Sequence, residues 1–327
     1  MKNGLIRSND LDAVRCPLCG AGPLDRLFPV GDRFSLVQCR ACRIAVTFPV
    51  ITPEEMRGYY PPAYYGTGNR RFNPLFEWLV TIFRHRRVRK IERFVAKGRV
   101  LDIGCGRGIT LSQLKGDGWE VSGAEISETA ATHARNLLGD TVFVGDVLAA
   151  PWPSDSFDVI NIWHVLEHLP DPKGVLAKSR ALLRPGGLLI VAVPNFESFQ
   201  ARFAGPRWFH LDVPRHYWHF GEKTLRGLLE KEGFAIQETS HFCFEQNPYG
   251  WIQSLLNRLG FPSNLLYDVL KHESARNVVH PFRVYPIWSL LLLPALLLVI
   301  PLGLVLFLLE VLFRRGGTIE LYAVLRK

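Results

Sequence analysis

The feature of this sequence that most limits its fold is an ordered alternation of short apolar runs with amphipathic helical stretches, starting at residue 99. Parallel strands need a long crossover between them, usually a helix, so this alternation is typical of a mostly parallel sheet. A helix at 221–234 and a strand at 235–242 continue the pattern. The sequence therefore predicts an α/β fold whose first five strands are "RVLDI", "WEVSGAE", "TVFVGD", "FDVINIW" and "LLIVAVP", at 99–103, 119–125, 141–146, 157–163 and 188–194.

The first predicted strand runs into a glycine-rich turn, "LDIGCGRG" at 101–108. Gly104 and Gly106 let the backbone turn tightly and approach a ligand at the positive end of the next helix. The second predicted strand ends in Glu125, which can accept hydrogen bonds from a ribose diol, and the third ends in Asp146, which can meet an adenine amine. The carboxyl ends of adjacent parallel strands share one edge, so these features predict a nucleoside-binding crevice.

A nicotinamide dinucleotide is the alternative ligand for such a crevice. Its glycine fingerprint is G-x-G-x-x-G, whereas residues 104–108 read G-x-G-x-G. No second dinucleotide half follows in the sequence. Both differences disfavour a nicotinamide enzyme.

Five stretches resemble, in order and spacing, the successive motifs of the class I S-adenosylmethionine-dependent methyltransferases: "VLDIGCGRG", "GAEIS", "GDV", "FDVINIWHVLEHLPDP" and "LLRPGGLLIVAVPN". The resemblance covers about residues 96–243 and implies a Rossmann-like seven-stranded sheet, with S-adenosylmethionine as the cofactor. It also implies that an antiparallel last strand, here "TIELYAVLRK", inserts between the fifth and sixth. Six residues are implied around the cofactor: Asp102, Gly104 and Gly106 at its methionine end, Glu125 at the ribose, and Asp146 and Val147 at the adenine.

The turn after the fourth predicted strand bears on the methyl acceptor. Family members that methylate exocyclic amines of nucleobases resemble one another here in an (Asp/Asn)-Pro-Pro-aromatic stretch, whereas this chain has Asn161-Ile162-Trp163-His164. This difference disfavours a nucleic-acid partner. Together with the apolar segment at 287–309, it predicts O- or C-methylation of a small or lipid-linked acceptor. A nucleic-acid methyltransferase stays an alternative, because the net charge of +9 suits nucleic acid as well as an anionic membrane or an acidic substrate.

Two histidines are the predicted catalytic residues, as base or acceptor contact. His164 opens the string His164-Val165-Leu166-Glu167-His168, and His216 lies in "DVPRHYWHF" at 212–220, a loop that can fold over the crevice. On a helix, His164, Glu167 and His168 would share one face and could bind a cation. The string resembles the acidic-x-x-Glu-His motif of ubiquinone O-methyltransferases, which can bind a divalent cation, but here His164 takes the first acidic position. A metal at this string stays open.

Four of the six cysteines form two CxxC pairs separated by 19 residues, Cys16 with Cys19 and Cys39 with Cys42. Each short loop can present two thiolates to one ion, so the spacing predicts a structural zinc ribbon. Two disulfides are the alternative, which the lack of a signal peptide in "MKNGLIRSND" disfavours. A ribbon ahead of such a core resembles the arrangement in bacterial sugar C-methyltransferases, so a sugar acceptor stays open.

Residues 287–309 are 23 uncharged residues, enough to span a bilayer. If "TIELYAVLRK" is the last strand of the sheet, both ends of this segment lie on the same side of a membrane, and it is too short to cross twice. The segment is therefore predicted to form a re-entrant hairpin, bent at Pro294, Pro301 or Gly303, or a helix lying in the membrane interface. A buried core helix or a dimer interface is the alternative.

Basic residues flank this apolar segment. Arg283 precedes it and Arg314 and Arg315 follow it, which favours the cytoplasmic face. The basic run at 84–90 can meet anionic headgroups, although a solvated helix face is the preferred interpretation. The predicted localisation is cytoplasmic, with peripheral or monotopic attachment to the membrane.

The predicted organisation has five parts, and the methyltransferase core is divided between two of them. The parts are a zinc ribbon at 1–50, a helical linker or lid at 51–95, the core at 96–243, a membrane-associating insertion at 244–316 and the last core strand at 317–327.

A catalytically inactive, zinc-bearing membrane adaptor on the same fold is the alternative function from a different class of protein. Such an adaptor need not bind the cofactor.

Overall fold

The computed structural model describes residues 14–60, 74–271 and 285–326. Three features used above lie outside these residues: the N-terminal "MKNGLIRSND", Arg283, and the final lysine of "TIELYAVLRK".

A small antiparallel sheet forms at the cysteine-rich end of the chain. It contains β1 (Leu24–Val30), β2 (Phe34–Cys39) and β3 (Ala45–Phe48), followed by the short helix α1 (Pro53–Arg57). Within the described residues this sheet has a fourth strand, β9 (Trp218–His219), which pairs with β3. β9 comes from the loop at 212–220, so a segment of the predicted core completes the sheet of the ribbon.

The main sheet has seven strands within the described residues, in the order β10-β11-β8-β7-β4-β5-β6. Strand β11 is antiparallel to both of its neighbours, whereas β4 to β8 run parallel to one another. This arrangement confirms the predicted α/β fold and the inserted last strand. The strands are β4 (Arg99–Ile103), β5 (Glu120–Glu125), β6 (Val142–Val144), β7 (Phe157–Trp163), β8 (Leu183–Pro194), β10 (Phe234–Ser240) and β11 (Thr318–Leu325).

Helices cover both faces of this sheet. Successive residues of a strand point to opposite faces, so Val100 and Leu101 of β4 belong to two different apolar clusters. Both side chains are fully buried, which explains why the strands read as continuous apolar runs. The remaining helices are α2 (Pro74–Glu92), α3 (Ile109–Gly116), α4 (Glu128–Leu138), α5 (Pro172–Leu182), α6 (Phe199–Ala204), α7 (Glu222–Lys231), α8 (Asn247–Arg258), α9 (Leu265–Leu270) and α10 (Pro286–Leu312).

The apolar segment forms one continuous helix, α10, and no re-entrant hairpin. Pro294 and Pro301 both lie inside it, so neither marks a reversal of the chain. Among the described residues, α10 is the one helix long and apolar enough to cross a bilayer. It packs lengthwise on α8: near its start Trp288 contacts Phe261, just beyond α8, with ring centroids 5.0 Å apart.

The carboxylate of Glu310 fixes the other end of α10 to the core. This side chain is fully buried and accepts hydrogen bonds from Trp251 Nε1 at 2.7 Å, from Gln200 Nε2 at 3.2 Å and from the Gly317 amide at 3.2 Å. These donors come from α8, from α6 and from the turn before β11. The single acidic residue of the apolar helix α10 therefore links it to α8, to α6 and to the turn before β11.

Candidate active site

A cavity of about 430 Å³ opens at the carboxyl ends of β4 and β7. One half of its wall is the glycine turn after β4. The other half comes from five segments far apart in sequence: α2, the turn at 163–168 after β7, the loop at 209–216, and residues in and just before α8 and α9.

The glycine turn forms a cradle that a side chain would fill. Gly104 and Gly106 have φ of +73° and +55°, the left-handed region that glycine tolerates best. A Cβ added at Gly106 would meet no atom within 4 Å, so the turn leaves open space for a ligand. The Gly106 amide donates a hydrogen bond of 2.9 Å to the Glu125 carboxylate, which joins the ends of β4 and β5.

Two buried carboxylates lie beside this cradle. Asp102 lines the cavity and accepts a hydrogen bond of 2.6 Å from Asn161 Nδ2. Burial raises the pKa of Asp102 to about 6, although Asn161 and the charge of Arg87 oppose the shift. Burial also raises the pKa of Glu125, against hydrogen bonds from the amides of Ser127 and Gly106. Both carboxylates are therefore held in place before any ligand binds.

The predicted adenine contacts lie farther along the same sheet edge. Asp146 follows β6 and accepts a hydrogen bond of 2.9 Å from the Leu148 amide, which caps a short 3₁₀ turn. Val147 is buried in that turn. Asp102, Gly104 and Gly106 thus line the cavity itself, whereas Glu125, Asp146 and Val147 are at the ends of the next two strands.

The predicted base His164 begins the acceptor half. Its backbone is strained, with φ of +53°, a region in which non-glycine residues are uncommon. Its Nδ1 lies 3.4 Å from Glu167 Oε1, and its Nε2 lies 3.4 Å from the Thr318 hydroxyl. His164 also lines the cavity, so the imidazole is open to a ligand there.

The other predicted base, His216, is brought to the same cavity by a different segment. Its ring contacts the His168 ring edge-on, with centroids 4.5 Å apart. Burial, reinforced by the neighbouring imidazoles, holds the pKa of His216 well below its usual range, so His216 is neutral at physiological pH. His168 Nδ1 lies 3.0 Å from the Arg215 carbonyl oxygen, which only accepts, so Nδ1 carries a proton.

Comparison with known proteins agrees with this geometry. A methyltransferase-domain family model matches residues 78–239. A ubiquinone biosynthesis O-methyltransferase from Cereibacter sphaeroides is 33% identical over 174 residues, 49% of this chain and 68% of that protein. One from Thiobacillus denitrificans is 35% identical over 156 residues, 45% of this chain and 66% of that protein. This chain belongs to the class I S-adenosylmethionine-dependent methyltransferases.

The methyltransferase also has relatives among solved structures. A SAM-dependent methyltransferase from Archaeoglobus fulgidus aligns over 74% of this chain and 93% of its own, with a TM-score of 0.47 and 20% identity. All the predicted cofactor residues and both predicted bases lie within the residues that the family model matches. The four paired cysteines and α10 lie outside them.

The cation site left open at residues 164–168 of the methyltransferase has a different set of donor residues in the structure. Residues 166–168 form a 3₁₀ turn, so His164, Glu167 and His168 do not share one face of an α-helix. The structure instead brings donor atoms of Glu167, His168 and His216 within 4.8 Å of one another. Glu167 is 1% exposed, and neither of its carboxylate oxygens has a hydrogen-bond partner among the described residues. A ligand in the cavity can therefore offer this carboxylate a donor or a positive charge.

An aromatic wall is the part of the cavity that the sequence did not reveal. Phe209 contacts Tyr249 of α8 and Tyr267 of α9, with ring centroids 5.1 and 5.6 Å apart. All three residues line the cavity, together with His210. They lie in stretches without a recognisable motif, so no local signal marked them.

The four paired cysteines of the methyltransferase fit a zinc ion. Cys16 Sγ lies 3.7 Å from Cys42 Sγ, and Cys19 Sγ lies 3.6 Å from Cys39 Sγ. A tetrahedral ion with Zn–S bonds of about 2.3 Å needs thiolates about 3.8 Å apart, close to these distances. Each close pair joins one cysteine from each CxxC loop, and none of the four forms a disulfide. The cluster is therefore shaped for one ion and differs from the disulfide alternative.

Proposed function

We propose that this methyltransferase transfers the methyl group of S-adenosylmethionine to an oxygen or carbon of a small or lipid-linked acceptor at the cytoplasmic face of a membrane. The observation that carries this proposal is a shared wall. Helices α8 and α9 contribute Tyr249 and Tyr267 to the cavity, and the same two helices support the apolar helix α10. The acceptor site therefore lies one helix layer from the surface that we assign to lipid.

The packing of α10 supports an interfacial position. Leu290, Leu298 and Leu312 are 74–79% exposed, so the outer face of α10 presents large apolar side chains along its whole length. Its inner face packs on α8, and α8 is in turn bonded to the core, where Ser254 Oγ accepts from the Phe209 amide. A crossing would pull α8 and its polar contacts into hydrocarbon, which is costly. An interfacial helix buries the exposed leucines without that cost.

Two arginines lie near α10. Arg86 of α2 stacks over Phe242 at 4.1 Å, and Phe242 contacts Phe307 of α10 with ring centroids 5.3 Å apart. Arg314 is exposed just beyond the end of α10. Arginines at the edge of an apolar face suit the anionic headgroups of a cytoplasmic leaflet.

The chemistry follows from the two halves of the cavity. S-adenosylmethionine, when bound, supplies an electrophilic methyl group on its sulfonium. Its methionine end is assigned to Asp102, Gly104 and Gly106, its ribose to Glu125, and its adenine to Asp146 and Val147. The aromatic wall orients the acceptor, and His164 or His216 takes the proton that the acceptor loses. The ribbon holds one structural zinc ion through Cys16, Cys19, Cys39 and Cys42.

The acceptor class is tested with the full-length protein and S-adenosylmethionine that carries a radiolabelled methyl group. Bacterial membrane lipid extract, water-soluble metabolites and total RNA are offered separately. We expect label in the lipid fraction, and much less with the Gly106→Ala variant. Label in the soluble fraction alone would remove the lipid acceptor, and label in RNA would restore the nucleic-acid alternative.

The membrane position is tested by flotation with liposomes that contain an anionic phospholipid. We expect the full chain to float with them and a variant that lacks 286–312, rejoined by a short linker, to stay in solution and still bind the cofactor. A dimer that dissociates on this deletion, without any flotation of the intact chain, would assign α10 to a protein interface instead.

A further inference from the structure

The loop at 212–220 connects the ribbon to the acceptor half of the cavity. We infer that the zinc ribbon is a positioning element of the active site: through β3 and β9 it sets the loop that places His216 and grips the turn at 164–169. This inference rests on the proposed zinc ligands and on the proposed roles of the two histidines. It goes beyond them, because it couples a metal site to the acceptor half of the cavity and leaves the cofactor half independent.

The first link runs from the cysteines to β3. Cys39 ends β2, and its amide bonds the Ile44 carbonyl at 2.9 Å, so the second CxxC loop leads directly into β3 at Ala45. Thr224 Oγ1, in α7, also donates to the Cys42 carbonyl at 3.0 Å. The position of β3 therefore depends on how the cysteine loop is closed.

The second link is the pairing of β3 with β9. Ala45 lies opposite His219 and Val46 opposite Trp218, and the Thr47 amide donates to the Tyr217 carbonyl at 3.0 Å. The Thr47 hydroxyl donates to the His216 carbonyl at 2.6 Å and lies 3.0 Å from His219 Nε2. A hydroxyl has one proton, so it accepts from His219. Thr47 is thus bonded to the backbone of a predicted base.

The third link runs from the loop to the turn after β7. The Tyr217 amide donates to the Glu167 carbonyl at 2.9 Å, and Trp218 Nε1 donates to the Leu169 carbonyl at 2.8 Å. His168 Nδ1 bonds the Arg215 carbonyl. Three hydrogen bonds therefore fix the 164–169 turn against the loop that the ribbon holds.

The glycine cradle shares none of these links. Gly106 is bonded to Glu125, and the Gly104 amide to the Ala124 carbonyl at 2.8 Å, both within the main sheet. Disturbing the ribbon should therefore loosen the acceptor half and leave the cofactor half intact.

The test uses full-length protein in detergent and follows backbone amide exchange by mass spectrometry, with affinity for S-adenosylhomocysteine measured by calorimetry. Thr47→Val removes the hydroxyl bonds but keeps the β-branched shape, and Thr132→Val on α4 is the matched control, since Thr132 Oγ1 bonds only the local Glu128 carbonyl among the described residues. We expect exchange at 213–219 and 164–169 to rise about tenfold in Thr47→Val, which corresponds to about 1.4 kcal/mol. Exchange at 99–108 and affinity for S-adenosylhomocysteine should stay within twofold of the parent.

A second arm removes the metal with a chelator and repeats both measurements. We expect the same two segments to lose protection, more strongly than in Thr47→Val, while S-adenosylhomocysteine still binds. Unchanged protection at 164–169 in both arms would overturn the inference. So would an equal loss of protection across all segments, because the ribbon would then belong to one cooperative unit with the sheet. If elemental analysis finds no zinc, the proposed metal fails, and the Thr47 arm still decides whether the ribbon positions the loop.

Discussion

The two halves of the cavity are built in opposite ways. The cofactor half comes from one turn and the ends of adjacent strands, and its key contacts join residues 102–106 to residues 124, 125 and 161 within a single sheet. The acceptor half is assembled from the 163–168 turn, the 209–216 loop, α8 and α9, and it is supported from outside by the ribbon. The first half therefore depends on a local sequence motif, whereas the second depends on the packing of segments far apart in sequence.

Replacing the two histidines proposed as bases should give the largest difference between the two halves. His164→Ala and His216→Ala remove candidate proton acceptors, and such groups contribute about 10²–10⁴-fold to rate. We expect kcat for labelling of lipid extract to fall by this factor in one variant or both, with affinity for S-adenosylhomocysteine unchanged. Full activity in both variants would mean that the acceptor loses its proton without either histidine.

Replacing the buried carboxylate of Asp102 should raise the stability of the folded chain and lower its affinity for S-adenosylmethionine. The pKa of Asp102 is raised to about 6 in the folded chain, from 3.8 for an exposed group, so the folded state loses stability as pH rises from about 4 through 6. Asp102→Asn stays neutral and should be more stable than the parent by about 3 kcal/mol at pH 7.5 without cofactor.

The stability gain of Asp102→Asn should largely disappear at pH 4, where the folded forms of both chains are neutral at this position. Denaturant melts at the two pH values measure it, and exposed Asp140→Asn serves as the control. An equal gain at both pH values would show that repacking, rather than charge, causes the effect. Affinity for S-adenosylmethionine should fall in the same variant.

A side chain placed in the glycine cradle should weaken binding of the cofactor. Gly106→Ala places a methyl group in the open space of the turn, and we expect affinity for S-adenosylmethionine to drop at least about tenfold, or about 1.4 kcal/mol. Gly139→Ala is the matched control, because Gly139 also has a positive φ, +78°, with no atom within 4 Å of an added Cβ, but lies outside the cavity. Similar losses in both variants would point to backbone strain alone. Calorimetry distinguishes the two results.

The smallest effect is expected at the membrane surface. Arg86→Gln removes one charge beside α10, and one basic residue near an anionic surface contributes about 1 kcal/mol, or about fivefold in partitioning. Arg135→Gln on α4 is the control, because α4 packs beside β6, at the opposite edge of the sheet from β10 and β11. Flotation at low and high salt measures the difference, which salt should abolish. Equal losses in both variants would argue against a defined lipid face.

The sequence predicted the parts that are built from local motifs better than the parts that are assembled from distant segments. The glycine turn, β4, β7 and the inserted β11 were predicted closely, because each combines a local motif with an apolar run of fixed period. The aromatic wall was not, because Phe209, Tyr249 and Tyr267 meet only after three separate segments fold together. The pairing of β9 with β3 was also missed: a two-residue strand carries no periodic signal, and its partner lies about 170 residues earlier. For α10, composition indicated an apolar segment, but its straight path depends on the packing of α8 and on Glu310.

The slot filled by β11 has a consequence for how the chain is made. Strands β8 and β10 lie on either side of β11, yet both are synthesised before α10, and β11 after it. Until β11 emerges from the ribosome, the edges of β8 and β10 stay unpaired beside an apolar helix. Unpaired strand edges and exposed apolar surface both promote aggregation. Early contact of the nascent α10 with lipid would shield that surface during the wait. The membrane would then assist folding of the chain before it binds the folded enzyme.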